Sequence, residues 1–133
     1  MITDGNKAGT DGTYVELGPG VQWVIIDLKQ KYNIYAFAIW HYHKQARVYS
    51  DVIVQVADDP DFLTNVRTIF NNDPDNAAGL GIGRDQNYVE TNEGKLIDAK
   101  GVVGRYIRLY SNGNDTTPLN HYVEVEAYGT PAQ

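Results

Sequence analysis

The chain has 133 residues, enough for one domain with a real core. Hydrophobic residues make up 42% and charged residues 21%, an ordinary globular balance, and the net charge of −6 argues against the basic stripe that a nucleic-acid surface needs. There is no cysteine, hence no disulfide or thiolate zinc site, and no apolar run nears the roughly 20 residues of a transmembrane segment.

The abrupt opening "MITDGNK" reads as the start of a single domain, residues 1–133, excised from a larger protein. "TDGNKAGTDG" (residues 3–12) then sets Asp4, Asn6, Thr10 and Asp11 among glycines. Oxygen-bearing side chains on a sharply turning backbone suit Ca²⁺, although an EF-hand is excluded by Ala8 and Val15 at the fifth and twelfth loop positions. The competing reading is a solvated turn.

After "GPG" (18–20), "QWVIIDL" alternates, with Gln22, Val24, Ile26 and Leu28 on one face of a predicted strand. Trp23 and Trp40, each inside an apolar strand, are expected in the core. "IWHYHKQARVY" (39–49) carries chemistry of two kinds. His41 and His43, two apart on a strand, share a face and with His121 offer imidazoles to Zn²⁺, Cu²⁺ or Fe²⁺. Against that, Lys44 and Arg47 add positive charge, and the segment holds no acidic ligand. His43, Lys44, Gln45, Arg47 and Tyr49 fit a sugar better. Charge-assisted hydrogen bonds reach vicinal hydroxyls, and an aromatic ring lies against the apolar face of the pyranose.

Further along, "DVIVQVA" sets Val52, Val54 and Val56 against Asp51, Ile53 and Gln55. Only "DFLTNV" (61–66) has the look of a helical turn. "GLGIG" (79–83) follows no strand and opens no helix, so it is not a phosphate-binding loop. The long loop 71–87 around it places Arg84, Asp85 and Asn87 near any binding rim, with Leu80 and Ile82 as its apolar residues. "RYIRLYS" sets Ile107 and Leu109 against Tyr106, Arg108 and Tyr110, and "HYVEVEAYG" sets Val123 and Val125 against Glu124 and Glu126. Between these two, "SNGNDTTPLNHY" supplies Asn112, Asn114, Asn120 and His121, and "NDT" (114–116) is a formal glycosylation sequon. About eight or nine short strands with no long helix predict an all-β, antiparallel jelly-roll β-sandwich. Ser50 and Ser111 are the only serines, and neither lies in a nucleophile elbow. No pair of acids stands beside an apolar stretch that would raise one pKa, so no enzymatic activity is expected.

"TDGNKAGT", "WVIIDL", "VIVQVADDPDF", "RYIRLY" and "VEVEAYG" follow one another in the order seen in the discoidin or coagulation factor 5/8 type C family. The chain resembles that family, and with it the galactose-binding-like family 32 carbohydrate-binding modules, over residues 3 to 129. The resemblance implies a structural Ca²⁺ joining the N-terminal loop to the last strand. Its ligands would be Asp4, Asn6, Thr10 and Glu126, with backbone carbonyls near Ile2 and Ala127. It also implies that a histidine at about the 39–49 segment and an arginine contact the ligand, with a residue or two from the loop before the last strand; the expected rim is His41, His43, Lys44, Arg47, Tyr49, Asn112, Asn114 and His121. The exposed Trp or Phe that usually stacks on the sugar is missing, leaving Tyr49 or Tyr122 to replace it. The expected function is carbohydrate binding without catalysis, attaching an extracellular or secreted protein to glycans from the periplasm, cell surface or medium. A structural or protein-interaction appendage, joined to neighbouring domains, is the alternative.

Overall fold

The structure, a computed structural model, describes residues 2–10, 12 and 14–132; Asp11 lies outside them. Among the described residues six strands form: β1 (Val15–Leu17), β2 (Gln22–His41), β3 (Ile53–Ala57), β4 (Arg67–Asn71), β5 (Lys95–Ser111) and β6 (Asn120–Pro131). All pairings are antiparallel, in the order β1-β6-β2-β5-β3-β4.

Six strands do the work of the expected eight because β2 and β5 each serve two layers. The first half of β2 pairs with the second half of β5, which pairs with β3 and so with β4. The second half of β2 pairs with the first half of β5 and with β6, which pairs with β1. Two irregularities make the corner. Residues 28–31 stand opposite Arg105 alone, and residues 99–101 stand opposite Tyr35. Lys29, Lys100 and Gly101 take positive φ there, and extra residues of this kind bend a strand and tighten its twist. Arg105 pins the first bulge, donating to Asp27 through Nε (2.8 Å) and Nη2 (3.0 Å).

The layers meet in one cluster. Val54, Val56, Ile107 and Leu109 from one side pack with Phe37, Ile39, Ile97 and Val125 from the other. Each such side chain contributes about 1.5–3 kcal/mol on burial. Trp40 is buried as expected, its Nε1–H donating to the Asn92 carbonyl at 3.0 Å. Gly94 lies flat against that indole, where a Cβ would come within 2.5 Å of the ring.

Trp23 corrects the expectation that both tryptophans are core, for it is 52% exposed. Val24 and Ile26 pack against the core, so strand alternation sends Trp23 outward, where it meets the cross-strand Tyr110 at 5.7 Å. Residues 61–66 form turns rather than a helix. Phe62 and Asn65 take positive φ, and Asp59 Oδ1 accepts from Leu63 N and Thr64 N. Phe62 then lies under the Arg108 guanidinium, 4.1 Å away, which helps bury the outer face of β3.

Candidate functional site

Three loops converge at one end of the molecule. Residues 42–52 hydrogen-bond to residues 112–115 through Ser50 N to Gly113 O, Asn112 N to Ser50 O and Asp115 N to Val48 O. They meet the 72–94 loop through Asn72 N to Val52 O and Glu90 N to Arg47 O. The N-terminal turn joins them where His43 Nε2–H donates to the Lys7 carbonyl at 2.8 Å.

Several residues expected on the rim lie beneath it. His41 is 1% exposed; its Nδ1–H donates to Glu90 Oε1 at 2.7 Å, and its ring stacks on Tyr49 at 4.5 Å. Tyr49 is equally buried and donates to His121 Nδ1 at 2.8 Å; burial holds its phenol well above the usual range. His121 Nε2–H in turn donates to Glu16 Oε2 at 3.1 Å, and burial lowers the pKa of its imidazole. Arg47 is 9% exposed, with its guanidinium 4.4 Å over Tyr42 and Nη2 donating to Gln45 Oε1. These four form an internal polar seam.

Asn114 spends its whole amide on a turn. Oδ1 accepts from Thr116 N and Thr117 N, while Nδ2 donates to Thr117 Oγ1 and Leu119 O. Asn112 Nδ2 donates to Asp51 Oδ2 at 2.8 Å. Of the expected rim, His43 and Lys44 reach the surface together. With Lys7, Ala8, Thr91 and Asn92 they line an open, largely polar cleft of about 610 Å³. Thr91 and Asn92 had no signal in the sequence, because nothing local shows that their loop folds back against Trp40.

The three histidines do not form a transition-metal centre among the described residues, since His41 goes to Glu90, His43 to Lys7 and His121 to Tyr49 and Glu16. Among the described residues, Asp51, Asp73 and Asp75 do converge, with carboxylate oxygens within 4.8 Å of one another. These three can hold a metal ion. Burial, with Asp73 and Asp75 nearby, raises the pKa of the Asp51 carboxyl.

At the termini, Val125 N donates to the Ile2 carbonyl at 2.7 Å, which ties the N-terminal turn to β6. Asp4 Oδ1 accepts from Asn6 N, and Asn6 Oδ1 accepts from Ala8 N. Thr10 is exposed. Glu126 pairs with Lys7 at 3.2 Å and accepts from Tyr128. Glu124, two residues earlier on the same face, is the carboxylate that meets the turn: its Oε2 accepts from Gly5 N at 2.5 Å. It is 1% exposed, and its Oε1 is buried without a partner among the described residues. Burial raises the pKa of this carboxyl, with Asp4 and Glu126 adding repulsion.

No protein-family model matches the sequence, and no curated protein matches it. Solved structures do. A family 89 glycoside hydrolase from Clostridium perfringens matches at TM-score 0.74 with 18% identity, covering 98% of this chain and 12% of the hydrolase. The CBM32 of AlyQ, in complex with 4,5-unsaturated mannuronic acid, matches at 0.69 with 15% identity over 96% of this chain and 82% of the module. CBM32-1 from a family 31 glycoside hydrolase of C. perfringens matches at 0.69 with 17% identity, over 96% and 81%. The chain therefore spans about an eighth of the first hydrolase and most of each isolated module. At these identities the likeness is one of fold: the discoidin-like, galactose-binding-like β-sandwich of the family 32 modules.

Proposed function

We propose that this chain is a non-catalytic carbohydrate-binding module that attaches a larger extracellular protein to glycans. One observation carries the reading: 96% of the chain shares its fold with a binding module solved with an unsaturated uronic sugar. The cleft lined by Lys7, His43, Lys44, Thr91 and Asn92 supplies suitable chemistry. Lys44 and the Asn92 amide are donors for sugar hydroxyls or a carboxylate, His43 offers Nδ1 as an acceptor because its Nε2–H is spent on the Lys7 carbonyl, and Lys7 lies 4.7 Å over the Trp40 ring. Such an open face buries little area, so single-site affinity is weak and several modules in one protein compensate.

The N-terminal turn is proposed as the structural Ca²⁺ site. Asp4, Asn6 and Thr10 supply oxygens from the turn, with Glu124 as the carboxylate from β6 and Glu126 at the edge, bound to Lys7. The residues fit the ion: a buried carboxylate with one unpartnered oxygen, next to an aspartate, is the donor set a hard cation takes. The cation would neutralise these charges and tie the first turn to the last strand.

A glycan array spanning neutral and uronate-bearing saccharides, followed by calorimetry on the best binder, tests the sugar reading. Lys44→Ala and His43→Ala are expected to weaken binding about 10-fold or more, with the melting temperature of the Lys44 variant unchanged. Arg47→Ala is a poor probe, because the stacked, buried guanidinium contributes to packing. Retention of full affinity in both variants would remove the cleft from the account. No binder on the array would favour the appendage reading, for which the outer face with Trp23 (52% exposed) and Ile25 (43% exposed) is the available surface.

A further inference from the structure

We propose that Asp51, Asp73 and Asp75 form a divalent-cation site of the Ca²⁺ class, separate from both the terminal turn and the sugar cleft. Ser50, Asp51, Asn72, Pro74, Asp75 and Asn87 line a polar recess of about 230 Å³ that shares no residue with either. Asp51 and Asp73 are buried, and Asp75 stands at the mouth. Each carboxylate is held by a neutral donor: Asp73 by Ala77 N (3.0 Å) and Ala78 N (2.9 Å), Asp51 by the Asn112 amide (2.8 Å) and Asp75 by Ala77 N (3.1 Å).

None of the three makes an ion pair with Lys, Arg or His among the described residues. Carboxylates gathered within 4.8 Å and partly out of water repel one another strongly, and a cation relieves all three at once. Oxygens this close together can share one ion, and an all-carboxylate donor set is what a hard cation such as Ca²⁺ takes.

A second observation, independent of the acids, points to an occupant. Asn72 is 3% exposed, and its Oδ1 is fixed by Val52 N at 2.7 Å, which sets the orientation of the amide. Its Nδ2 is left buried without a partner among the described residues, in a residue that lines the recess beside Asp51 and Asp75. A buried N–H₂ group calls for an oxygen acceptor. The water or hydroxyl that completes the cation's shell provides one, since carboxylates alone fill at most part of the six to eight positions Ca²⁺ takes.

The test uses the whole chain, stripped with chelator and titrated with Ca²⁺ by calorimetry, and with Tb³⁺ as a luminescent substitute. Asp75→Asn and Asp51→Asn keep the acceptors for Ala77 N and the Asn112 amide while removing charge. Each is expected to weaken a Ca²⁺ site about 10-fold or more without lowering the melting temperature in chelator. That site is expected to persist in Glu124→Gln, which addresses the terminal turn alone. A Ca²⁺ isotherm unchanged in Asp75→Asn, or binding lost entirely in Glu124→Gln, overturns the assignment, as does absence of any uptake. Asp75 is exposed, so its variant decides the matter even if the buried Asp51 proves intolerant. None of these outcomes depends on whether the cleft binds sugar.

Discussion

At the scale of single residues, the internal seam sets a pH dependence whose direction follows from burial. His121 is 4% exposed, with Glu16, Tyr49, Arg47 and His41 facing it. Desolvation lowers its pKa from the ordinary 6.5, outweighing the pull of Glu16 in the other direction. Below that value the unfolded chain binds the proton more readily than the folded one. The stability it contributes is therefore complete above about 6.5 and is lost as pH falls toward the folded value. His121→Gln keeps an acceptor for the Tyr49 hydroxyl but cannot titrate. Melting curves from about pH 7 to about pH 5 are expected to fall less steeply for this variant than for the parent. Equal slopes would mean that His121 is not the titrating group. The sequence showed His41, Tyr49 and His121 as chemistry-bearing, and the structure does bring them together. What it did not show was depth. A polar residue at a strand end looks the same whether the next loop leaves it open or covers it, and here the 72–94 loop covers His41 with Glu90.

The element scale explains why the strands were legible and their number was not. Alternation fixed which of Val24, Val54, Ile107 and Val125 pack inward, and all four contribute to the buried cluster. Strand ends were not so marked: Lys29 bends β2 with no glycine or proline near it, and at the β5 bend Gly101 beside Lys100 is the one punctuating residue at positive φ. The same alternation, applied strictly, also places Trp23 outside, although its apolar neighbours suggest a core position. The two tryptophans therefore make a matched test. Trp40→Ala empties a buried site, with loss of the Asn92 bond, and is expected to cost about 3–5 kcal/mol. Trp23→Ala removes one aromatic contact with Tyr110 from a half-exposed face and is expected to cost about 1 kcal/mol. Denaturant titration of both variants measures the difference; similar losses would mean that the outer face of β2 is covered by something other than solvent.

For the whole molecule, the question is what holds the two ends of the chain together. Among the described residues the ends are joined by Val125 N to Ile2 O, by Gly5 N and the Asp4 backbone to the Glu124 carboxylate, by the Lys7–Glu126 pair on the surface, and by the pairing of β1 with β6. The surface pair is worth little, and Glu124 is buried beside Asp4 with one oxygen unpartnered among the described residues, an arrangement that costs free energy unless a positive charge arrives. A cation that binds only the folded chain stabilises it by mass action, by about 2.7 kcal/mol at a free concentration about 100 times the dissociation constant. Chelation is accordingly expected to lower the melting temperature by several degrees. Glu124→Gln retains the acceptor for Gly5 N but removes the charge, so the Ca²⁺-dependent part of the melting temperature is expected to shrink in that variant. Whatever increment survives belongs to the aspartate recess, and Asp75→Asn in the same background is expected to shrink it further. Indifference of the parent chain to chelator would mean that no cation ties the two ends.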